Sequence, residues 1–350
     1  MRTDTGQTVR LADYQPTPYA APHVQLMISL DPKATVVKST THFERRDPAV
    51  GGPLVLAGDD LSFMSAALDG KPIPADAMTV NKDQFILHAP PATPFALTIS
   101  TLVVPDENSQ LMGLYRSSGN YCTQCEAEGY RRITYAYDRP DVLSVYDVWV
   151  LGNDETPIIL SNGNLTDTGI TGGRPFAAWH DPFPKPSYLF ALVAGNLDVL
   201  QDSFTTMDGR KIALAICTEP GKALRAKYAM DALKRSMTWD EERFGRTYDL
   251  DMFNIVAVSD FNMGAMENKG LNVFNDRYIL ADPELATDLD YAGIEAVVAH
   301  EYFHNWTGNR ITCRDWFQLC LKEGLTVYRD QEFTSDVRSR GVKRVEDVRR

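Results

Sequence analysis

His300-Glu301-Tyr302-Phe303-His304 is the stretch from which the rest of the chain can be read. Residues four apart on an α-helix lie on one face, one turn apart. Both imidazoles can therefore address one metal ion, with the Glu301 carboxylate beside it. Ile294, Val297 and Val298 supply an apolar face that would bury the helix, and Thr307-Gly308-Asn309 supplies a stop. A helix is predicted over Asp288–Trp306. A second, predicted over Asp315–Phe333, carries Glu323 nineteen residues beyond His304. That separation fits a helix end, a connection and about two turns of an antiparallel partner. Two histidines and a glutamate leave the fourth position of a zinc site open, the catalytic rather than the structural pattern.

Upstream lie a strand predicted over Met252–Val258 and the loop Gly264-Ala265-Met266-Glu267-Asn268. An acid in a loop beside a sheet edge can bind the charged end of a ligand, while free backbone groups pair with an extended peptide. Lys222–Phe244 reads as a helix, with Ala226, Met230, Leu233 and Met237 at helical steps, and Asp208-Gly209 as a hairpin turn leading into Lys211–Cys217. Before it the pattern is β. Val24, Leu26, Ile28 and Leu30 alternate with Gln25, Met27 and Ser29, and Val37–Phe43 continues the alternation. Asp69-Gly70 signals a further hairpin after Phe63–Leu68. Strands are also expected at Phe85–His88, Phe95–Val104, Leu143–Leu151, Ile158–Leu160 and Tyr188–Val193. The expected organisation is an all-β, antiparallel, sandwich- or saddle-like domain over residues 1–197, then an α+β domain over 198–350.

At roughly 150 residues per domain, 350 residues suit two or three domains. Apolar residues make 44 % and charged residues 23 %, which excludes a disordered chain. Lys+Arg 35 against Asp+Glu 47 gives a net charge of −12, a poor match to nucleic acid. The apolar-rich run Phe95–Val104 is far short of the roughly twenty residues that span a bilayer. Met1–Gly6 lacks the apolar core of a signal peptide. Five cysteines suit no paired framework, so a reduced, cytoplasmic chain without membrane contact is expected. Cys122-x-x-Cys125 has no second pair to complete a zinc site. His23, His42, His88 and His180 show no ligand spacing. Asp330 shares the helix face of Glu323 and reads equally as a partner of a metal-bound histidine or as a solvent-facing ion pair. The chain stops at Val348-Arg349-Arg350 inside what reads as a continuing helix, as a fragment of a longer protein would.

G-A-M-E-N at 264–268 and H-E-x-x-H with its distant Glu together resemble the aminopeptidase N family of zinc gluzincins. Asp181–Pro186, Val256–Asn275 and His300–Phe333 look most like its bacterial alanyl aminopeptidase branch. The resemblance runs along essentially the whole chain and covers well under half of a full family member. It implies a thermolysin-like fold for the second domain, cut short at its C-terminal side. It also implies one zinc ion per chain, held by His300, His304 and Glu323, with Glu301 as general base. Glu267 matches the acid that grips the substrate's α-ammonium. Gly264 and Ala265 match its backbone contacts, Met263 matches the residue shaping the first side-chain pocket, and Met266 and Asn268 complete the substrate-binding segment. In Thr123–Glu128, Glu126 matches a second ammonium-binding acid and Gln124 a pocket-lining neighbour.

The implied reaction is removal of the N-terminal residue from peptides with a free N-terminus, by a monomer. The family's oxyanion-stabilising tyrosine would fall beyond Arg350. The chain alone is therefore expected to bind zinc poorly and to turn over slowly or not at all. Two other classes remain open: an endopeptidase or epoxide hydrolase using the same zinc, and a scaffold that keeps the fold without chemistry.

Overall fold

Val24, Leu26, Ile28 and Leu30 are all buried, while Met27 between them is 49 % exposed. This alternation is what a strand with one face on a core produces. The computed structural model describes residues 8–47 and 51–349, so Met1–Gly6 and Arg350 lie outside the described residues. The chain divides into two units, one reaching to Gly195 and including Arg314–Phe317, the other comprising Asn196–Cys313 and Gln318 onward. Residues 314–317, read from sequence as part of the second domain, thus belong to the first unit.

The first unit begins with β1 (Tyr19–Ser29), β2 (Thr35–Arg45), β3 (Leu54–Ala57), β4 (Ser62–Leu68) and β5 (Lys71–Pro72). It continues with β6 (Met78–Asn81), β7 (Gln84–Leu87), β8 (Phe95–Val103), β9 (Gly113–Ser117) and β10 (Asn120–Gln124). β11 (Ser144–Leu151), β12 (Ile158–Ser161), β13 (Asn164–Thr171), β14 (Arg174–Lys185) and β15 (Leu192–Gly195) complete it. An eight-stranded sheet runs β13-β14-β11-β1-β2-β8-β4-β5, beside sheets β12-β15-β10-β9 and β3-β7-β6. The three-stranded sheet packs on the large one: Leu54, Leu56, Phe85 and Leu87 share a core with Phe43, Phe95, Leu97 and Ile99. At the β4–β5 turn Asp69 and Gly70 both take positive φ, as tight hairpin turns require.

Two expectations change here. β1 and β11 pair in parallel, not antiparallel. They are far apart in sequence, so no hairpin constrains their sense. Tyr188–Val193 is not one strand: Ser187–Leu189 forms a 3-10 turn after Pro186, and the strand starts at Leu192. Proline at the turn's entry fixes its φ and supplies no N–H for a ladder.

The second unit holds β16 (Asp198–Thr205), β17 (Lys211–Thr218), α1 (Lys227–Phe244), β18 (Met252–Val258), β19 (Ala265–Met266) and β20 (Leu271–Asn275). α2 (Asp288–Phe303), α3 (Leu319–Val337) and α4 (Arg340–Arg349) follow. Its sheet runs β16-β17-β18-β20-β19, with parallel β17–β18 and β18–β20 pairs and antiparallel edges. α1 makes the β17–β18 crossover and ends at Gly245 in the left-handed region. α2 ends three residues earlier than expected, and α3 starts at Leu319 after a 3-10 turn, which puts Glu323 one turn into its helix rather than two.

Candidate active site

α2 is started by a capping box: Thr287 Oγ1 accepts from the Asp290 N–H, and the Asp290 carboxylate accepts from the Thr287 N–H at 2.8 Å. Its apolar side, Ile294, Val298, Ala299, Tyr302 and Phe303, is buried. Phe303 joins Trp239 of α1 and Phe333 of α3 in a three-ring cluster with centroids 5.1–5.8 Å apart. Arg329 of α3 donates to the Phe303 carbonyl at 2.8 Å and is ion-paired with buried Asp240 of α1. These contacts set the register of α3 against the end of α2. The buried face of α3 is polar: Lys322, Thr326 and Arg329, with Phe333, are buried at helical spacing, whereas Leu321, Leu325 and Tyr328 are exposed.

That register brings three ligand atoms together. His300 Nε2 lies 3.0 Å from His304 Nε2 and 3.2 Å from Glu323 Oε2, which is 3.4 Å from His304 Nε2. With zinc–ligand bonds of about 2.0–2.1 Å, the edge of a tetrahedral site is roughly 3.3–3.4 Å. The triangle fits one such ion. The far side of each ring is committed. His300 Nδ1 donates to Asp330 Oδ2 at 2.7 Å, and His304 Nδ1 to the Thr307 carbonyl at 2.8 Å. A donor on Nδ1 directs the Nε2 lone pair inward, the arrangement that orients metal-binding histidines. Burial opposes a charge on His300, yet the bonds to Asp330 and Glu323 and the charge of Glu301 outweigh it and push its pKa up to about 11. Burial likewise raises Glu323, but the two histidines win and hold it well below the carboxylate range. The pocket draws positive charge, which a divalent ion on the Nε2 atoms supplies in place of a proton.

Glu267 and Glu301 are both buried, and their carboxylates and a His304 ring nitrogen lie within 4.8 Å of one another. Burial pushes Glu301 up to about 8, reinforced by the charges of Glu267 and Glu323 and opposed by His300 and Lys322. Burial would raise Glu267 too, but the ammonium of Lys322 and then His304 bring it below its ordinary value. Glu267 directly follows β19, the sheet's edge strand. Its carbonyl accepts from Asn309 Nδ2 at 2.8 Å, and buried Lys269 donates to Asn305 Oδ1 at 2.7 Å. The turn after His304 thereby holds the strand that carries Glu267. At Gly308, φ is +152° and a Cβ would stand 2.7 Å from His304 Nδ1, so only glycine fits against the imidazole.

Within this motif, Met263 and Gly264 are exposed, Ala265 and Glu267 are nearly buried, and Met266 and Asn268 have no exposed surface. The side chains of Met266 and Asn268, expected to belong to the substrate-binding segment, are thus buried. Gln124 and Glu126 belong to the first unit, Gln124 buried at the end of β10 and Glu126 partly exposed after it. All five cysteines are free thiols, Cys122 and Cys125 buried. Of the other histidines, His23 and His180 both bond Asp147, at 2.6 and 2.7 Å, and His42 stacks on His23. Sequence reasoning missed Lys322, Gly308, Asn309 and Arg329. Their roles come from contacts between elements, and the local signals were a lysine directly before Glu323 and the Gly308-Asn309 helix stop.

The chain belongs to peptidase family M1, a family of metallopeptidases. Residues 19–189 match the Peptidase M1 N-terminal domain and residues 228–349 the Peptidase family M1 domain. It is 59 % identical to Aminopeptidase N of Caulobacter vibrioides over 100 % of this chain and 40 % of that protein. Aminopeptidase N of Escherichia coli is 51 % identical over 96 % of this chain and 38 % of its own length. The crystal structure of Legionella pneumophila aminopeptidase A in complex with aspartic acid superposes with a TM-score of 0.93 at 35 % identity, over 97 % of this chain and 40 % of that one. The chain thus spans about 40 % of the length of these relatives.

Proposed function

We propose that the chain forms the N-terminal and metal-binding part of a zinc aminopeptidase that removes the N-terminal residue from peptides with a free amine. His300, His304 and Glu323 would hold one zinc ion per chain. When bound, that ion polarises the scissile carbonyl and makes water acidic enough to attack near neutral pH. Glu301 takes the attacking water's proton on its carboxylate and delivers it to the leaving nitrogen. Glu267 holds the α-ammonium, with Glu126 as its second acid. Gly264 and Ala265 offer backbone groups at the edge strand, while Met263 and Gln124 line the first side-chain pocket.

One observation carries this reading: the 3.0–3.4 Å triangle of ligand atoms with two buried carboxylates beside it. Glu267 keeps its negative charge beside Lys322, and a free α-ammonium brings it a further cation that an internal peptide bond lacks. Free thiols suit a reducing compartment, and a cytoplasmic monomer belongs to the same proposal. Among the described residues no helix is long and apolar enough to cross a membrane. The test is a matched pair of peptides, free and N-acetylated, given to the full-length aminopeptidase of which this chain is part. Acetylation is expected to abolish turnover; equal cleavage of the two would overturn the amine anchor.

A further inference from the structure

Lys322 is as buried as the residues around it, with 1 % of its side chain exposed. Lysine is almost never buried without a dedicated partner. Two of its partners are carboxylates with different jobs. Its ammonium donates to Glu267 Oε1 and lies 3.2 Å from Oε1 of Glu323, whose other oxygen faces the two histidines. A single cation therefore joins the acid that faces the ligand to the acid that faces the metal. Lys322 thus holds the Glu267 carboxylate through its Oε1 oxygen.

The anchoring is stiff at both ends. Lys322 sits on α3, immediately before Glu323, and the backbone of Glu267 is held through Asn309 to the turn that follows His304. A Cβ at Gly308 would also stand 3.3 Å from Lys322 Cγ, so the lysine stem is packed along its length.

We propose that Lys322 is a positioning residue that holds the Glu267 carboxylate at a fixed distance from the metal ligands and thereby sets which peptide bond of an amine-anchored substrate lies over the metal. This inference rests on Glu267 being the amine acceptor. A carboxylate free to turn would still attract a cation, but would hold it over a range of distances, and the preference for a terminal amine would weaken.

The test uses the zinc-loaded full-length protein and two probes, leucine hydroxamate and 4-methylpentanoic hydroxamate, which differ only by the α-amine. The ratio of their dissociation constants by calorimetry isolates the amine's contribution. Glu267→Gln is expected to collapse that ratio; if it does not, the reading of Glu267 falls, and this inference with it. Lys322→Met should reduce the ratio by about tenfold or more, as loss of a buried charged partner does. Zinc content should stay at one per chain. The double variant should do no more than Glu267→Gln alone, because the lysine acts through that carboxylate. An unchanged ratio in Lys322→Met, or losses that multiply in the double variant, would overturn the role of Lys322 while leaving Glu267 in place. Should Lys322→Met fail to fold, Lys322→Arg keeps the charge but moves the donors, and a ratio reduced at least threefold is expected; an unchanged ratio there overturns the proposal equally.

Discussion

The chain contains two clusters of histidines and carboxylates, and they are built differently. In the second unit, His300 and His304 turn their Nε2 atoms toward one point, and their Nδ1 atoms are taken by Asp330 and the Thr307 carbonyl. In the first unit, His23 and His180 each bond a different oxygen of Asp147 on a sheet face, and the groups are a third to two-fifths exposed. Among the described residues the first arrangement brings a set of ligand atoms within 4.8 Å of one another, and the His23–Asp147–His180 set is not one of those groupings. Residue type alone does not make a metal site. Convergence does, and convergence requires something behind each ligand to aim it.

Replacing the central carboxylates without changing their shape separates the clusters most sharply. Glu301→Gln is expected to lower kcat by about 10²–10⁴, the usual worth of a general base, with zinc content unchanged. Steady-state kinetics of the full-length aminopeptidase, with metal analysis on the same sample, checks this; a loss of zinc would show that Glu301 acts on the site's structure instead. Asp330→Asn comes next. Releasing His300 Nδ1 should weaken zinc binding by about 10–100-fold, measured by chelator competition. Asp147→Asn, applied to the equivalent position of the other cluster, should leave zinc affinity unchanged.

The smallest expected effect belongs to Asp147 and concerns stability. Burial raises its pKa, but the bonds from His180 and His23 outweigh this and leave it below the ordinary 3.8. A depressed carboxylate contributes stability above its unfolded value and loses it as pH falls through the folded one. With 42 % of the side chain exposed, solvent screens the interaction, so Asp147→Asn should cost about 1 kcal/mol or less at pH 7 and less than that at pH 3. Urea unfolding at the two pH values reads the difference.

The same contrast explains what the sequence made legible. H-E-x-x-H and the spacing to Glu323 are local helical facts, readable because helix geometry is fixed. Period-two burial in Val24–Leu30 and the bounds of Met252–Val258 are local in the same way. The parallel β1–β11 pair was not legible, because neither strand states which distant segment it will meet. Nor was the face of α3. Its leucines point outward and its buried stripe is Lys322, Thr326 and Arg329, opposite to what an apolar pattern would suggest. The polar stripe serves the site: Thr326 and Arg329 tie down the end of α2, and Lys322 meets Glu267.

Titration of zinc into the metal-free full-length protein, followed by calorimetry in the parent, Glu323→Ala and His23→Ala forms, tests the central claim most directly. One zinc per chain is predicted for the parent and for His23→Ala, and none at the same concentrations for Glu323→Ala. Undiminished binding in Glu323→Ala, or no binding to the parent at any concentration, would contradict a metal centre built from these two helices.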